Sequence, residues 1–135
     1  MRVAERMTRA VVTIRRDTTA TTAWALMKVR RFRHLPVVDE WGQVVGIVSD
    51  RDLTHVPFTA TPAGQSVPTG MPVERIMTAV VISVGPDDDI TEAARLMLEH
   101  RIGALPVVEH GRLVGIVSEI DLLRMLSQNP RSAQL

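Results

Sequence analysis

One stretch of this 135-residue chain occurs twice, and this internal repeat limits the possible folds more than any other feature of the sequence. The first copy spans residues 35–53 and the second spans residues 105–122. Each copy has an apolar run with a proline, a turn with a glycine, a second apolar run and a closing Ser-x-x-Asp. Two such runs around a glycine turn are typical of a β-hairpin, and Ser-x-x-Asp is typical of a helix start. The chain is therefore expected to build one hairpin-helix unit twice.

The repeat also extends towards the N-terminus. Met7-Thr8 recurs as Met77-Thr78, and each pair precedes a short β-branched run, at residues 11–14 and 81–84, that suits a strand. Polar residues at 17–19 and 87–89 can then cap a helix, and residues 89–92 resemble a capping box. Apolar residues follow at i, i+3, i+4 and i+7 spacing, which predicts one amphipathic helix per copy. These apolar residues are Ala20, Ala23, Trp24 and Met27 in the first copy, and Ile90, Ala93, Ala94 and Met97 in the second.

The segment between the copies differs in composition from both of them. Residues 57–72 hold four of the eight prolines and two of the eight glycines of the chain, which favours an irregular linker. The sequence therefore divides into a first repeat at residues 1–56, a linker at 57–72, a second repeat at 73–128 and a tail at 129–135. Asn129-Pro130 is expected to end the last helix, and Trp41 is expected at the surface of the first hairpin tip.

Composition excludes several classes of protein. The chain has no cysteine, which rules out disulfides and thiol nucleophiles and favours a cytoplasmic location. No signal peptide and no apolar run of ~20 residues is present, so a membrane span is not expected. The net charge is +1 and only 3% of residues are aromatic, so nucleic acid is not an expected partner. The four histidines lack the paired spacing of a metal site.

Sequence motifs of common enzymes are also missing. The chain has no Gly-x-x-x-x-Gly-Lys phosphate loop, no Gly-x-Gly-x-x-Gly and no Gly-x-Ser-x-Gly nucleophile elbow. A catalytic function is therefore not expected, and no catalytic residue can be named.

Two tandem β-α-β-β-α units with Met-Thr, Leu-Pro-Val-Val, Gly-Ile-Val-Ser and a terminal Ser-x-x-Asp resemble the cystathionine beta-synthase (CBS) domain family, whose paired form is called a Bateman module. The resemblance covers Val3 to about Met125. It implies an α/β (α+β) fold in which two pseudo-symmetric repeats pack sheet to sheet and leave two clefts. It further implies a regulatory module that senses AMP, ADP or ATP in these clefts, with or without Mg²⁺ and with no other required cofactor. The same resemblance implies an energy-sensing role, a homodimer and a protein partner that the sequence does not identify.

Within this resemblance, the Ser-x-x-Asp motifs are candidate ribose sites. Asp52 and Asp121 could each accept hydrogen bonds from two ribose hydroxyls, and Ser49 and Ser118 could add a hydroxyl contact. The alternative is that each motif only caps its helix, and both interpretations stay open. The backbone amides at the start of the nearby helix would also favour binding of a phosphate group. The adenine environment would comprise Val12, Thr13, Leu35, Pro36, Ile82, Ser83, Ala104, Leu105 and Pro106.

The two copies differ most at their candidate phosphate contacts. Arg33-His34, directly before Leu-Pro, resembles the basic pair that binds phosphate in the nucleotide-sensing gamma subunit of AMP-activated kinase, and Arg51 would add a second guanidinium. Guanidinium groups can clamp a phosphate bidentately, whereas the matched residues of the second copy cannot. Two unequal sites are therefore expected, the second being weak, empty or selective for an uncharged adenosyl group. The alternative is that these arginines are ordinary surface charges. The matched residues are Gly103, Ala104 and Ile120.

Two other functions fit the same sequence. The first is a dimerising scaffold without a nucleotide ligand, with Trp24 and the apolar residues from Leu122 to Leu126 as its seam. The second is a sensor of S-adenosylmethionine or NAD.

Overall fold

The computed structural model describes residues 1–128. The predicted tail and the predicted helix stop at Asn129-Pro130 lie outside the described residues. Both copies contain a helix, two consecutive strands and a second helix in the same order, which confirms the mixed α/β (α+β) class. The elements are α1 (Ala20–Arg30), β1 (His34–Val38), β2 (Val44–Ser49), α2 (Asp50–Thr54), β3 (Phe58–Ala60), β4 (Ser66–Pro68), α3 (Ile90–His100), β5 (Ala104–Glu109), β6 (Arg112–Ser118) and α4 (Glu119–Ser127).

Both predicted hairpins are present. Strands β1 and β2 pair antiparallel, and so do β5 and β6. The register places His34 opposite Ser49 and Ala104 opposite Ser118. Trp41 is 70% exposed at the first hairpin tip, as the sequence predicts. The two copies therefore share one strand register.

The β-branched runs before each helix form less strand than predicted. Only Ile14 pairs with β1, through a parallel bridge to Val37, and only Val84 pairs with β5, through a parallel bridge to Val107. The prediction of full strands at 11–14 and 81–84 is therefore wrong in extent. The neighbouring Thr13 and Ser83 are exposed, so one buried residue of each run reaches its sheet.

Each Met-Thr pair completes the sheet of the opposite copy. Thr78 exchanges two backbone hydrogen bonds with Ile47 of β2, at 3.0 and 3.1 Å, and Thr8 does the same with Ile116 of β6, at 2.8 and 2.9 Å. The described residues accordingly form two compact units, one of residues 12–81 and one of residues 1–11 together with 82–128. These packing units are offset from the repeats read in the sequence.

Glycines in β2 and β6 make room for these crossing segments. A Cβ on Gly115 would lie 2.7 Å from Met7 Sδ and 2.9 Å from the Thr8 carbonyl oxygen. A Cβ on Gly46 would lie 2.9 Å from Met77 Cγ. Because real Cβ atoms do not approach other atoms so closely, Gly115 is needed for close backbone approach, whereas Gly46 leaves room for the flexible Met77 side chain.

Each unit has its own hydrophobic core, built as the helical spacing predicts. Helix α1 buries Ala20, Ala23 and Met27, and α3 buries Ile90, Ala93 and Met97. Full burial of one large apolar side chain stabilises the fold by about 1.5–3 kcal/mol. The strand and helix residues that meet them are Leu35, Val37, Val48 and Leu53 in the first unit, and Leu105, Val107 and Val117 in the second.

The predicted helix starts are confirmed, with one correction. Thr19 caps α1 by accepting from Thr22 N at 3.1 Å, and Asp89 caps α3 by accepting from Thr91 N at 2.9 Å. The predicted capping box at residues 89–92 does not form. Glu92 instead pairs with Arg95, because the guanidinium one turn along the helix reaches its carboxylate at 2.6 Å.

The linker is more ordered than its proline and glycine content suggests. Its strands β3 and β4 form an antiparallel hairpin, and Gly64 near its tip takes the φ of +82° that a tight turn requires. Thr21 Oγ1 donates to the Pro68 carbonyl at 2.7 Å, and the Phe58 ring meets the Trp24 ring edge to face at 5.5 Å. The prediction of an irregular linker is therefore wrong, because contacts with α1 order this segment.

Candidate functional site

In the first unit, the candidate ribose and phosphate residues meet at one end of the β1–β2 hairpin. His34 begins β1 directly opposite Ser49, which ends β2. The Asp50 N–H donates to the Arg33 carbonyl at 2.8 Å, which ties the start of α2 to the residue before β1. The structure thus brings Arg33-His34 and the Ser-x-x-Asp motif together, although they are 15 residues apart or more in the sequence.

The Ser49-Asp52 motif caps α2 and still offers an acceptor. Ser49 Oγ accepts from Asp52 N at 3.0 Å, and Asp52 Oδ2 accepts from Ser49 N at 2.8 Å. The helix-cap interpretation is thereby confirmed. Within residues 1–128, however, no group donates to Asp52 Oδ1. One carboxylate oxygen therefore caps the helix while the other can accept from a ligand, so the two interpretations are compatible.

The second unit repeats this arrangement. Ala104 lies opposite Ser118, and the Glu119 N–H donates to the Gly103 carbonyl at 3.0 Å. Asp121 Oδ2 accepts from Ser118 N at 2.8 Å and from Ser118 Oγ at 3.0 Å. Asp121 Oδ1 accepts from no other group in the described part of the chain. The same acceptor is thus presented twice.

The candidate adenine residues separate into two sets by exposure. Thr13 and Ser83 are exposed, and Val12 and Ile82 are half-buried, so these four residues have surface that a ligand could contact. Ile14 N donates to the Pro36 carbonyl at 3.0 Å, which places this run beside β1. The remaining five side chains are buried and can only support the site from the core. They are Leu35, Pro36, Ala104, Leu105 and Pro106.

Charge distinguishes the two sites sharply. Arg33 and Arg51 are exposed, and neither forms an ion pair with any residue in 1–128. Their guanidinium groups are therefore available to an anion. At the matched positions the second unit has Gly103 and Ile120, which carry no charge.

The profile of the CBS domain family matches residues 3–58 and 73–128. The chain belongs to the CBS domain family. The sequence resemblance is thereby confirmed, and the repeated unit is a CBS repeat.

Relatives and solved structures agree with this membership. The chain is 39% identical over 125 residues to a homoserine O-acetyltransferase of Methanococcoides burtonii, covering 92% of this chain and 24% of that protein. It covers 34% of the Methanocaldococcus jannaschii protein MJ1404, so it spans a quarter to a third of these curated relatives. AcuB of Vibrio cholerae has a TM-score of 0.81 at 33% identity, covering 99% of this chain and 96% of AcuB.

Two further similar structures contain adenosine compounds. The CBS domain pair of protein MJ0100, in complex with 5′-methylthioadenosine and S-adenosylmethionine, has a TM-score of 0.81 at 27% identity and covers 95% of this chain. The alignment covers 97% of that pair. CBSX2 in complex with AMP has a TM-score of 0.79 at 26% identity, covering 94% of this chain and 97% of CBSX2.

Sequence reasoning missed the residues beside the two Ser-x-x-Asp motifs. Thr78 pairs with β2 two residues before Ser49, and Thr8 pairs with β6 two residues before Ser118. The order of residues in the sequence predicts instead that each Met-Thr pair belongs to its own CBS repeat. The matched glycines in β2 and β6 could have indicated these pairings, since a strand glycine often marks the close approach of another segment.

A shallow pocket of about 190 Å³ lies beside the first candidate site and is lined by Trp24, Met27, Lys28, Phe32 and Asp50. Lys28 Nζ sits 4.5 Å from the centre of the Trp24 ring. Across residues 1–128, no three acidic or histidine side chains are grouped as a metal site would need. The same residues contain no helix with the length and hydropathy to cross a bilayer.

Proposed function

We propose that the chain is a regulatory, non-catalytic module that binds adenosine nucleotides at its two Ser-x-x-Asp sites and signals their occupancy to a partner protein. One observation carries this proposal. Each aspartate uses one oxygen to cap its helix while no group in residues 1–128 donates to the other, and in the first CBS repeat Arg33 and His34 lie at the same end of the hairpin. A structural cap alone does not require basic side chains beside it.

Each side chain then has a distinct role in binding. Ribose hydroxyls donate to Asp52 Oδ1, a charge-assisted bond that is roughly twice as strong as a neutral one. Arg33 and Arg51 bind the phosphate, since guanidinium groups match phosphate oxygens bidentately. Adenine contacts the accessible surface of Val12 and Thr13.

The ligands of similar structures support the chemical class. MJ0100 and CBSX2, which share the fold over nearly the whole chain, are both complexed with adenosine compounds. The sequence predicts AMP, ADP or ATP for this chain because of the basic residues in its first CBS repeat. S-adenosylmethionine and NAD remain competing ligands, and energy sensing and a cytoplasmic location remain predictions.

Regulation requires a ligand to prefer one conformation of the module over another. A ligand that binds two conformations equally well shifts neither population and regulates nothing. The proposed signal is therefore a ligand-dependent change in affinity for the partner protein.

The proposal is tested by thermal unfolding with AMP, ADP, ATP, NAD and S-adenosylmethionine, each with and without Mg²⁺. A ligand at ~100 times its dissociation constant should add ~2.7 kcal/mol to the free energy of unfolding. Asp52→Asn with Asp121→Asn keeps the side-chain shape and should abolish the increase. Glu40→Gln removes an exposed carboxylate elsewhere and should leave it intact. No increase with any ligand, or an unchanged increase in the double variant, would contradict the proposal.

A second candidate function is a dimerising scaffold. Leu98 on α3 is 81% exposed, and Leu123 and Leu126 on α4 are 58% and 45% exposed. Trp24 fits this seam less well than predicted, because it packs against Phe58 and Lys28. Sedimentation equilibrium should show a dimer that Leu123→Glu dissociates. A monomeric wild-type protein would contradict this candidate.

A further inference from the structure

We infer that the two CBS repeats take different ligands: the first takes a 5′-phosphorylated adenosine, and the second takes a 5′-thioadenosine, an adenosine whose 5′ carbon bears a thioether or sulfonium sulfur. This inference rests on the proposed function, because it assumes that both Ser-x-x-Asp sites hold the ribose of an adenosine compound.

The backbones of the two sites correspond closely enough for position-by-position comparison. His34 opposes Ser49 as Ala104 opposes Ser118. The residue after each serine donates its N–H to the residue before each strand, at 2.8 Å in the first CBS repeat and 3.0 Å in the second. Both aspartates accept from their serine N–H at 2.8 Å. A difference in ligand must therefore come from the side chains.

The side chains that could bind a 5′-phosphate are present on one side only. A phosphate group removed from water needs charged or hydrogen-bonding partners, since an uncompensated charge is costly to desolvate. The first CBS repeat supplies two arginines with no ion pair in residues 1–128. At the matched positions, the second repeat has no charged side chain. The matched pairs are Arg33 and Gly103, His34 and Ala104, and Arg51 and Ile120.

The residues that replace these arginines in the second CBS repeat suit a ligand with sulfur at its 5′ carbon. Ile120 is 38% exposed and offers apolar surface at the position of a guanidinium. A thioether is polarizable and packs favourably on such surface. Glu119 and its match Asp50 are both exposed carboxylates directly after the motif serine. In the second CBS repeat no arginine follows the carboxylate, so its negative charge disfavours a phosphate and favours a sulfonium cation.

The other basic residues near the sites do not account for the difference. Arg31 and Arg101 occupy matched positions at the ends of α1 and α3, with nearly equal φ angles of 58° and 54°. Because both CBS repeats carry this arginine, it contributes equally to each site.

The test isolates each site in the full-length protein and measures binding of adenosine, AMP, 5′-methylthioadenosine and S-adenosylmethionine by calorimetry. Asp52→Asn leaves only the second site, which should bind 5′-methylthioadenosine about tenfold more tightly than AMP. Asp121→Asn leaves only the first site, which should show the opposite order. Charge-assisted hydrogen bonds from two guanidinium groups to a phosphate are strong enough that a preference of tenfold or more is expected.

Exchanging the matched residues should exchange the preference. In the Asp52→Asn protein, Gly103→Arg with Ile120→Arg should make AMP the tighter ligand. Gly103 has no positive φ, so the backbone accommodates arginine there. Glu109→Arg adds positive charge at an exposed position at the other end of the β5–β6 hairpin from Ser118 and serves as the control. If the double exchange does not fold by circular dichroism, Ile120→Arg alone, at a partly exposed position, gives the same comparison.

The outcomes separate this inference from the proposed function. If the second site binds adenosine but prefers AMP to 5′-methylthioadenosine, or if the exchange leaves the order unchanged, this inference is wrong and the proposed function stands. If wild-type protein binds none of the four compounds, both are wrong.

Discussion

The two CBS repeats of this chain share their backbone arrangement and differ in the side chains at the candidate phosphate positions. Both have the same hairpin register, the same Ser-x-x-Asp cap, and a strand glycine beneath a methionine from the opposite repeat. They differ at the candidate phosphate positions. The first repeat has Arg33 and Arg51 there, and the second has Gly103 and Ile120 at the matched positions. The shared residues include the packing glycines and the capping aspartates, which are also the proposed ribose ligands, and the differing residues are those proposed to meet the 5′ group of a ligand. Comparison of the two repeats thus separates the common framework from the candidate determinants of ligand choice.

The largest expected effect concerns the crossing segments. Gly115→Ala should destabilise the protein by about 1–3 kcal/mol, the usual cost of overpacking, because the new Cβ meets the Thr8 backbone as well as Met7. Gly46→Ala should cost less, because it meets only the flexible Met77 side chain. Urea unfolding measures both. Gly70→Ala, with open space around the position, is the control. Equal losses at Gly46 and Gly115 would show that the crossing segments are not held as described.

The helix caps should contribute equally in both repeats. Ser49→Ala and Ser118→Ala each remove a side-chain acceptor from a helix amide and should each cost about 1 kcal/mol. Ser66→Ala, on an exposed strand residue that caps no helix, should change the free energy of unfolding very little. If either cap variant is as stable as this control, the serine of that repeat is retained for a ligand contact and not for the cap.

Replacement by glycine of either of two arginines in left-handed conformation should raise the free energy of unfolding. Arg31 and Arg101 end their helices with φ of 58° and 54°, a conformation that costs a side-chain-bearing residue roughly 1–2 kcal/mol. Glycine avoids this cost but loses more entropy on folding, so Arg31→Gly and Arg101→Gly should each stabilise by up to about 1 kcal/mol. Ala25→Gly, at an exposed position in the middle of α1, should instead destabilise by about 1 kcal/mol. A loss of stability at only one of the two positions would reveal a contact of that arginine.

The smallest effect is a difference in acid sensitivity between α1 and α3. The Thr91 backbone N–H and hydroxyl donate to Asp89 and hold the pKa of its carboxyl below the ordinary 3.8, and the Arg95 guanidinium lowers the pKa of Glu92. A carboxyl whose pKa is lower in the folded state stabilises above its unfolded pKa, and this contribution is lost as the pH falls through the folded pKa. Helix α1 is capped by Thr19, which does not titrate.

Hydrogen exchange should therefore show α3 losing protection before α1 as the pH falls below ~4. Asp89→Asn keeps an acceptor at the cap and should reduce the difference. Equal loss of protection in both helices would contradict this assignment.

Local features of the fold were predictable from the sequence, whereas long-range features were not. Glycine turns, helix caps and apolar spacing act over a few residues, so both hairpins and both long helices could be placed. The pairing of Thr8 with Ile116 joins residues from opposite ends of the chain, and the strand glycine Gly115 indicates a close approach without identifying the segment that approaches. The linker hairpin depends on contacts such as Phe58 with Trp24, which its composition does not reveal.

The candidate site was predictable in its residues but not in its geometry. Duplication identified Ser49, Asp52 and their counterparts, and the contrast of Arg33 with Gly103 followed from alignment of the copies. The sequence could not decide between a cap and a ligand site, because that question depends on individual carboxylate oxygens. The structure shows that one oxygen of each aspartate is engaged by the cap.

The most direct test of the account is a competition experiment on the wild-type protein. Calorimetric titration with 5′-methylthioadenosine is carried out first alone and then in the presence of saturating AMP. The account predicts two separate sites, so AMP should leave the stoichiometry of the second ligand at one per chain. Displacement of 5′-methylthioadenosine by AMP, with one shared site per chain, would contradict the division of ligands between the two CBS repeats.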